Sequence, residues 1–395
     1  MRLPADGDLR LTVPHAHSLR VPPAVPHHSP ALDGVRGIAI LLVLLHHFTL
    51  FDPSTSLGAW MGFLALLGWC GVDVFFVLSG FLITGILIDA RGSDRYFTSF
   101  YMRRILRIFP LYYLIVFLSF IVLGRFPWWH NLLVGAGEVP QWPYWTYLVN
   151  FAIAARGDFQ HGVLDVAWSL AIEEQFYLLW PAIVWILPPR WLGWLCGLIV
   201  LTVPLLRSLA LDGNAEPVDV YVLPHLRADA LAFGGLLAWL SRREVLERAA
   251  AFGPWIVLGA SAAAIWCAVA AGSPWWWEPL TQRVGYSLFA MAGAGLVIVA
   301  VTGRGSLWQR ALSAGWLRAF GKYSYAMYLL HLPVSRIVQE FVMGPDEFPS
   351  LFGAVWPAQL GFYVLATVPT FALAWLSWHT FEAPILRLKA KFPYV

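Results

Sequence analysis

The chain has 395 residues, 59% of them hydrophobic and 12% charged, with a formal net charge of +3. Soluble domains run nearer ~45–50% apolar and ~25% charged, so this composition excludes an ordinary water-soluble fold. No arginine cluster is interleaved with aromatics on a polar surface, which leaves no support for a nucleic-acid partner.

Residues 1–30 are rich in proline and histidine and hold no apolar core, so they are neither a signal peptide nor a span. They predict a disordered cytoplasmic tail, because a Pro-rich polar segment cannot bury enough surface to fold. His15, His17, His27 and His28 in that tail could also be read as metal ligands. The three cysteines, Cys70, Cys196 and Cys267, lie in or beside apolar segments without paired spacing. They read as small buried side chains, and no metal site is expected.

Apolar runs near the ~20 residues that a crossing helix needs follow along nearly the whole chain. They lie at 34–52, 68–89, 107–124, 168–187, 191–211, 225–240, 252–271, 283–302, 320–342 and 354–380. Arginines at 91, 95, 103, 104 and 107, at 242, 243 and 248, and at 304, 310 and 318 mark cytoplasmic loops. Arg387, Lys389 and Lys391 place the C-terminus on the same side. Counted from both ends, the short aromatic run 142–155 cannot cross, and its Trp142, Tyr144, Trp145 and Tyr147 suit the membrane interface. The expected fold class is all-α, a polytopic transmembrane helix bundle of about ten crossings with both termini cytoplasmic. One transmembrane domain is expected over 31–387, followed by a cytoplasmic tail over 388–395. No internal repeat is visible.

Ionisable side chains within these spans each need a reason, since insertion costs roughly 2.5–3.5 kcal/mol per charge. In the first span Arg36 precedes His47 by eleven residues, almost three helical turns. The two therefore share a face roughly 16 Å apart along the axis and could grip the two ends of one long ligand. Imidazole suits proton transfer from a hydroxyl. The same spacing also fits an edge arginine obeying topology beside a histidine hydrogen-bonded in the bundle. In the second span Ser79-Gly80 reads as close helix packing, and Asp73 lies toward the outer side. Arg104 and Arg107 are neighbours on one face of the third span, either a clamp for phosphate oxygens or plain topological anchoring.

The segment 168–177 sets Glu173, Glu174 and Gln175 near the outer end of an apolar helix, with Glu173, Phe176 and Tyr177 on one face. Either it holds a polar hydroxylated acceptor, or it forms a structural ion pair with Arg227. Arg227 and Asp229 are two apart and predict separate partners. Ser324, Tyr328 and His331 repeat as one polar stripe deep in the membrane, and a histidine at that depth favours function. Glu382-Ala-Pro384 reads as a helix terminator with a cytoplasmic ion pair.

Taken in order, the Arg36-to-His47 spacing, FFVLSGF at 75–81, RILRIFP at 104–110, WSLAIEEQFY at 168–177, RADALAFG at 227–234 and SYAMYLLH at 324–331 resemble the acyltransferase family 3 membrane proteins. The resemblance covers about residues 31–385. Members O-acylate lipopolysaccharide, exopolysaccharide, peptidoglycan and some macrolides, which implies a multi-pass protein of the bacterial inner (cytoplasmic) membrane. It also implies an acyl-CoA donor, usually acetyl-CoA, and a carbohydrate, glycolipid or macrolide acceptor. By similarity Arg36 and His47 are active-site residues, and Arg104 with Arg107 belong to the donor motif, with Arg36 assisting. Glu173 joins the expected catalytic set, and Glu174, Tyr177, Arg227, Asp229, Tyr328 and His331 form the expected acceptor set. The long Pro/His tail has no counterpart in the resemblance. A secondary transporter, or a carrier of acyl groups feeding a separate periplasmic enzyme, are the rival readings, and a homo-oligomer is left open.

Overall fold

A computed structural model describes residues 29–50, 56–127, 129, 140–159, 162–243, 245–343 and 356–394. The predicted N-terminal tail and its histidines lie outside these residues up to position 28. The helices of eight or more residues are α1 (Pro30–Phe48), α2 (Ser56–Leu66), α3 (Gly71–Asp89), α4 (Tyr96–Phe117), α5 (Val149–Arg156) and α6 (Ala167–Ile186). They continue as α7 (Pro189–Asp212), α8 (Ala228–Ser241), α9 (Gly253–Ala271), α10 (Tyr286–Thr302), α11 (Gly315–Val338) and α12 (Trp356–Ser377). Among the described residues there is no β-strand, so the chain is all-α.

Among the described residues, seven helical stretches are long and apolar enough to cross a membrane: those containing α1, α3, α4, α7, α9, α10 and α12. The other three expected crossings fall on α6, α8 and α11. Each departs from a plain apolar span for a visible reason. α6 carries Glu173 and Glu174, α11 carries Arg318, Lys322 and Arg336, and α8 has only 14 residues. The run 142–155 forms two short helices, Trp142–Trp145 and α5, joined near Tyr147 with φ of 55°. At 1.5 Å per residue the eight residues of α5 span about 12 Å, far less than a ~30 Å hydrocarbon core. Tyr147 stacks on Tyr112 of α4, ring centroids 4.2 Å apart, which pins this segment to the bundle.

The crossing-type helices divide into inner and outer ones. The stretch containing α3 buries 72% of its most apolar window, whereas α7 buries 17% and the stretches of α9 and α12 each 22%. Trp194, Leu201, Trp255 and Trp266 stand outward from α7 and α9. Such an apolar exterior is unsuited to water and suits lipid. The molecule is a multi-pass membrane protein.

The inner layer depends on close backbone approach. A Cβ at Gly80 of α3 would overlap the Leu231 carbonyl of α8, and one at Gly321 of α11 would overlap the Asp33 carbonyl of α1. The small-residue reading of Ser79-Gly80 is thus half of the story, since Gly80 packs and Ser79 does not. Charge is also buried in this layer. Arg227, just before α8, donates to Asp73 of α3 at 2.8 Å. Arg207 of α7 donates to Asp229 of α8 at 3.0 Å, and Ser287 of α10 donates to the same carboxylate. These two pairs tie α3, α7, α8 and α10 together. All three cysteines are free and buried.

Candidate functional site: two cavities on one helix

Two cavities lie along α1, one toward each end. The first, about 130 Å³, is lined by Arg36 of α1, Arg104 and Arg107 of α4, Ser79 of α3, and Glu173 and Tyr177 of α6. The second, about 570 Å³, is lined by His46 and His47 of α1, Trp168 of α6, Tyr221, Trp276, and Ser335 of α11. Val72 and Tyr328 line both, so they form the partition between them. The Tyr328 hydroxyl is held there by Ser169, oxygen to oxygen 2.6 Å.

The first cavity gathers cations. Arg104 and Arg107 are three residues apart, so one helical face aims both inward. Arg36 keeps a single intrahelical partner, Asp33, at 2.8 Å. The Arg107 guanidinium lies 5.5 Å over the Trp378 ring, within electrostatic reach of Arg36, Arg104 and Glu382. The buried Nε of Arg104 has no hydrogen-bond partner. Three guanidinium groups around one space, with donors to spare, suit a phosphate-bearing ligand. Deeper in, the Tyr177 hydroxyl donates to Ser79 Oγ at 3.1 Å, and Ser79 donates to Glu173 at 2.5 Å.

The second cavity is a histidine and aromatic site. His46 Nδ1 lies 2.7 Å from the Leu66 carbonyl and is occupied there. His47 Nδ1 lies 3.0 Å from the Val43 carbonyl and 3.3 Å from His331 Nε2. His331 is fully buried on α11, with Nδ1 2.7 Å from the Tyr328 carbonyl. Among the described residues no group of three or more His, Cys, Asp or Glu side chains is arranged to hold a metal.

The structure therefore rearranges the expected residue set. Arg36, Arg104, Arg107, Glu173 and Tyr177 come together in one cavity, while His47 lies beyond the partition that Tyr328 forms. Glu173 and Tyr177 were expected to face an acceptor on the outer side. Both line the arginine cavity, where Ser79 donates to Glu173. Glu174 lines neither cavity, and its Oε1 is buried without a partner. Arg227 and Asp229, at 1% and 2% exposure, line neither cavity and form the ion pairs described above. They do have separate partners, but Arg227 pairs with Asp73 and not with a glutamate of α6. His331 reaches no cavity wall and touches His47. Glu382 accepts from Ser377, and the helical stretch continues past it to Lys391, so 382–384 does not terminate the helix as expected. Residues that sequence reasoning passed over are Ser79, Ser169, Tyr221 and Trp276. Of these, Ser79 and Ser169 sat inside motifs already singled out, whereas Tyr221 and Trp276 carried no local signal.

Comparison with known proteins gives a consistent answer. The acyltransferase domain family matches residues 29–379. YrhL of Bacillus subtilis (strain 168), a candidate peptidoglycan O-acetyltransferase, is 32% identical over 388 residues, covering 91% of this chain and 55% of the relative. The peptidoglycan O-acetyltransferase OatA of Listeria monocytogenes is 28% identical, covering 90% of this chain and 55% of its own length. The O-acetyltransferase OatA of Staphylococcus aureus (strain NCTC 8325) is 25% identical, with 91% and 57% covered. The chain thus spans about half the length of these curated relatives. No solved structure matches it.

Proposed function

Because this chain belongs to the acyltransferase domain family, we propose that it is an inner-membrane O-acetyltransferase, taking acetyl from cytoplasmic acetyl-CoA and passing it to a hydroxyl of a glycan. Ten crossings with both termini cytoplasmic belong to the same proposal, with the Arg36 end of α1 inside. The relatives' names favour a peptidoglycan-type acceptor over a glycolipid or a macrolide.

The observation that carries this reading is the pair of cavities sharing one partition along α1. The donor's phosphates sit on Arg36, Arg104 and Arg107, whose forked donors match phosphate oxygens. The long flexible arm of acyl-CoA extends past Ser79 and Tyr177 toward Tyr328 and brings the thioester to His47, roughly 16 Å along the helix. The acceptor enters the larger cavity beside the aromatic wall of Trp168, Tyr221 and Trp276. His47 Nε2 takes the proton of the acceptor hydroxyl as its oxygen attacks the thioester carbonyl. The carbon–sulfur bond breaks, and the departing thiolate receives that proton back from His47. A positioned base of this kind contributes ~10²–10⁴-fold. A thioester is already activated, so the balance closes without a metal.

The test is mass analysis of products formed by purified protein in detergent from acetyl-labelled CoA and tetra-N-acetylchitotetraose. Labelled O-acetyl ester on the oligosaccharide supports transfer by this chain. Label that crosses a liposome membrane only as unmodified substrate would establish the transporter instead, and release requiring a second enzyme would establish the carrier.

A further inference from the structure

The two histidine rings that meet between α1 and α11 lie 284 residues apart, and their hydrogen-bond geometry determines which nitrogen of each carries hydrogen. His331 Nδ1 faces the Tyr328 carbonyl at 2.7 Å, and a carbonyl only accepts, so that nitrogen bears the hydrogen. In a neutral ring Nε2 then holds a lone pair. His47 Nδ1 faces this lone pair at 3.3 Å and the Val43 carbonyl at 3.0 Å, two acceptors and no donor. His47 Nδ1 therefore bears its hydrogen as well, and its Nε2 is left open while the ring lines the larger cavity.

We propose that His331 is a positioning residue whose Nε2 lone pair, beside the Val43 carbonyl, receives the Nδ1–H of His47 and holds that ring with Nε2 free to accept the acceptor's proton. The inference rests on the acetyl-transfer reading above and adds a role for His331, which touches no substrate. Its logic is that of a base oriented by a third group. When His47 becomes imidazolium, its Nδ1–H points at an existing acceptor pair, so the new charge is met without reorganisation. His331 in turn is held by α11: it is fully buried, its ring lies 4.8 Å from that of His47, and Phe48 flanks it.

The experiment compares wild type, His331→Phe and His331→Gln with His47→Ala, each checked for retained acetyl-CoA binding. Turnover is followed with acetyl-CoA and tetra-N-acetylchitotetraose, and ¹⁵N-histidine NMR reports the His47 tautomer. His331→Phe is expected to lower kcat about 10–100-fold, the usual cost of losing an orienting partner, with KM for both substrates unchanged. The His47 ring should stay in the Nδ1–H form that the Val43 carbonyl requires, while its Nδ1 signal loses the shift that the His331 acceptor imposes. His331→Gln restores an acceptor and should recover part of both losses. A His331→Phe protein that binds donor, keeps kcat within about twofold and shows an unshifted His47 Nδ1 signal would overturn the inference. If instead His47→Ala itself turned over normally, the base role of His47 would fall and this inference with it, whereas a wild type that forms no O-acetyl ester would sink the acetyl-transfer reading, so the failures are distinguishable.

Discussion

The helix bundle holds two sets of arginines, one buried and one half-buried, and they differ in what surrounds them. Arg207 and Arg227 are 0% and 1% exposed, each held by an aspartate on another helix, and neither lines a cavity. Arg227 also lies over the Tyr286 ring at 4.1 Å and near those of Tyr221 and Trp168. Arg36, Arg104 and Arg107 instead share a cavity, where Arg36 has one intrahelical carboxylate. Unpartnered buried donors occur in both sets, at Arg104 Nε and at Arg207 Nε, Arg227 Nε and Arg227 Nη1, so the open space is what differs. A membrane arginine matched by a carboxylate holds helices together. One whose guanidinium borders open space beside two others is poised for an anion.

That difference can be broken experimentally, beginning with the largest effect. Asp73→Ala strands the Arg227 guanidinium in the inner layer, and removing one partner of a buried pair typically costs about 3–5 kcal/mol. A large drop in the thermal midpoint in detergent is expected, and an unchanged midpoint would deny the structural role. Arg104→Ala should do the reverse. Its midpoint stays near wild type, while acetyl-CoA affinity falls about 10–100-fold, the equivalent of a charged hydrogen bond worth ~1.5–3 kcal/mol. Normal affinity measured by equilibrium binding would place the donor elsewhere. Tyr328→Phe is the mildest change. It removes the hydroxyl held by Ser169, a net cost of ~0.5–1.5 kcal/mol, and loosens the partition. Faster acetyl-CoA hydrolysis without acceptor is expected, and an unaltered hydrolysis rate would show that this bond does not seal the partition.

Much of this was legible in the sequence, but unevenly. Helix content, the membrane setting and the shared face of Arg36 and His47 follow from spacing within single segments. Arg104 and Arg107 follow from the same rule. What escaped is pairing at long range. Asp73 and Arg227 are 154 residues apart, so nothing local distinguished a paired arginine from a free one. Glu173 was placed at the right helical phase with Tyr177, yet the partner that turns it toward the arginines, Ser79, lies 94 residues away. Ser79 itself was hidden behind Gly80, whose packing role explained the motif too easily. His331 and His47 were each marked out by depth, but only the close approach of α1 and α11 at Gly321 brings their rings together. The three spans that deviate from plain hydropathy, α6, α8 and α11, include those that furnish Glu173 and His331. Polar residues that weaken an apolar signal are the ones a site in a membrane requires.

The central claim is that donor binding and proton transfer occupy opposite ends of α1. The most direct measurement is acetyl-CoA binding and turnover by purified wild type, Arg104→Ala and His47→Ala in detergent. Saturable binding should persist in His47→Ala and be lost in Arg104→Ala, with turnover lost in both. Binding that survives in Arg104→Ala but disappears in His47→Ala would contradict the division of labour between the two cavities.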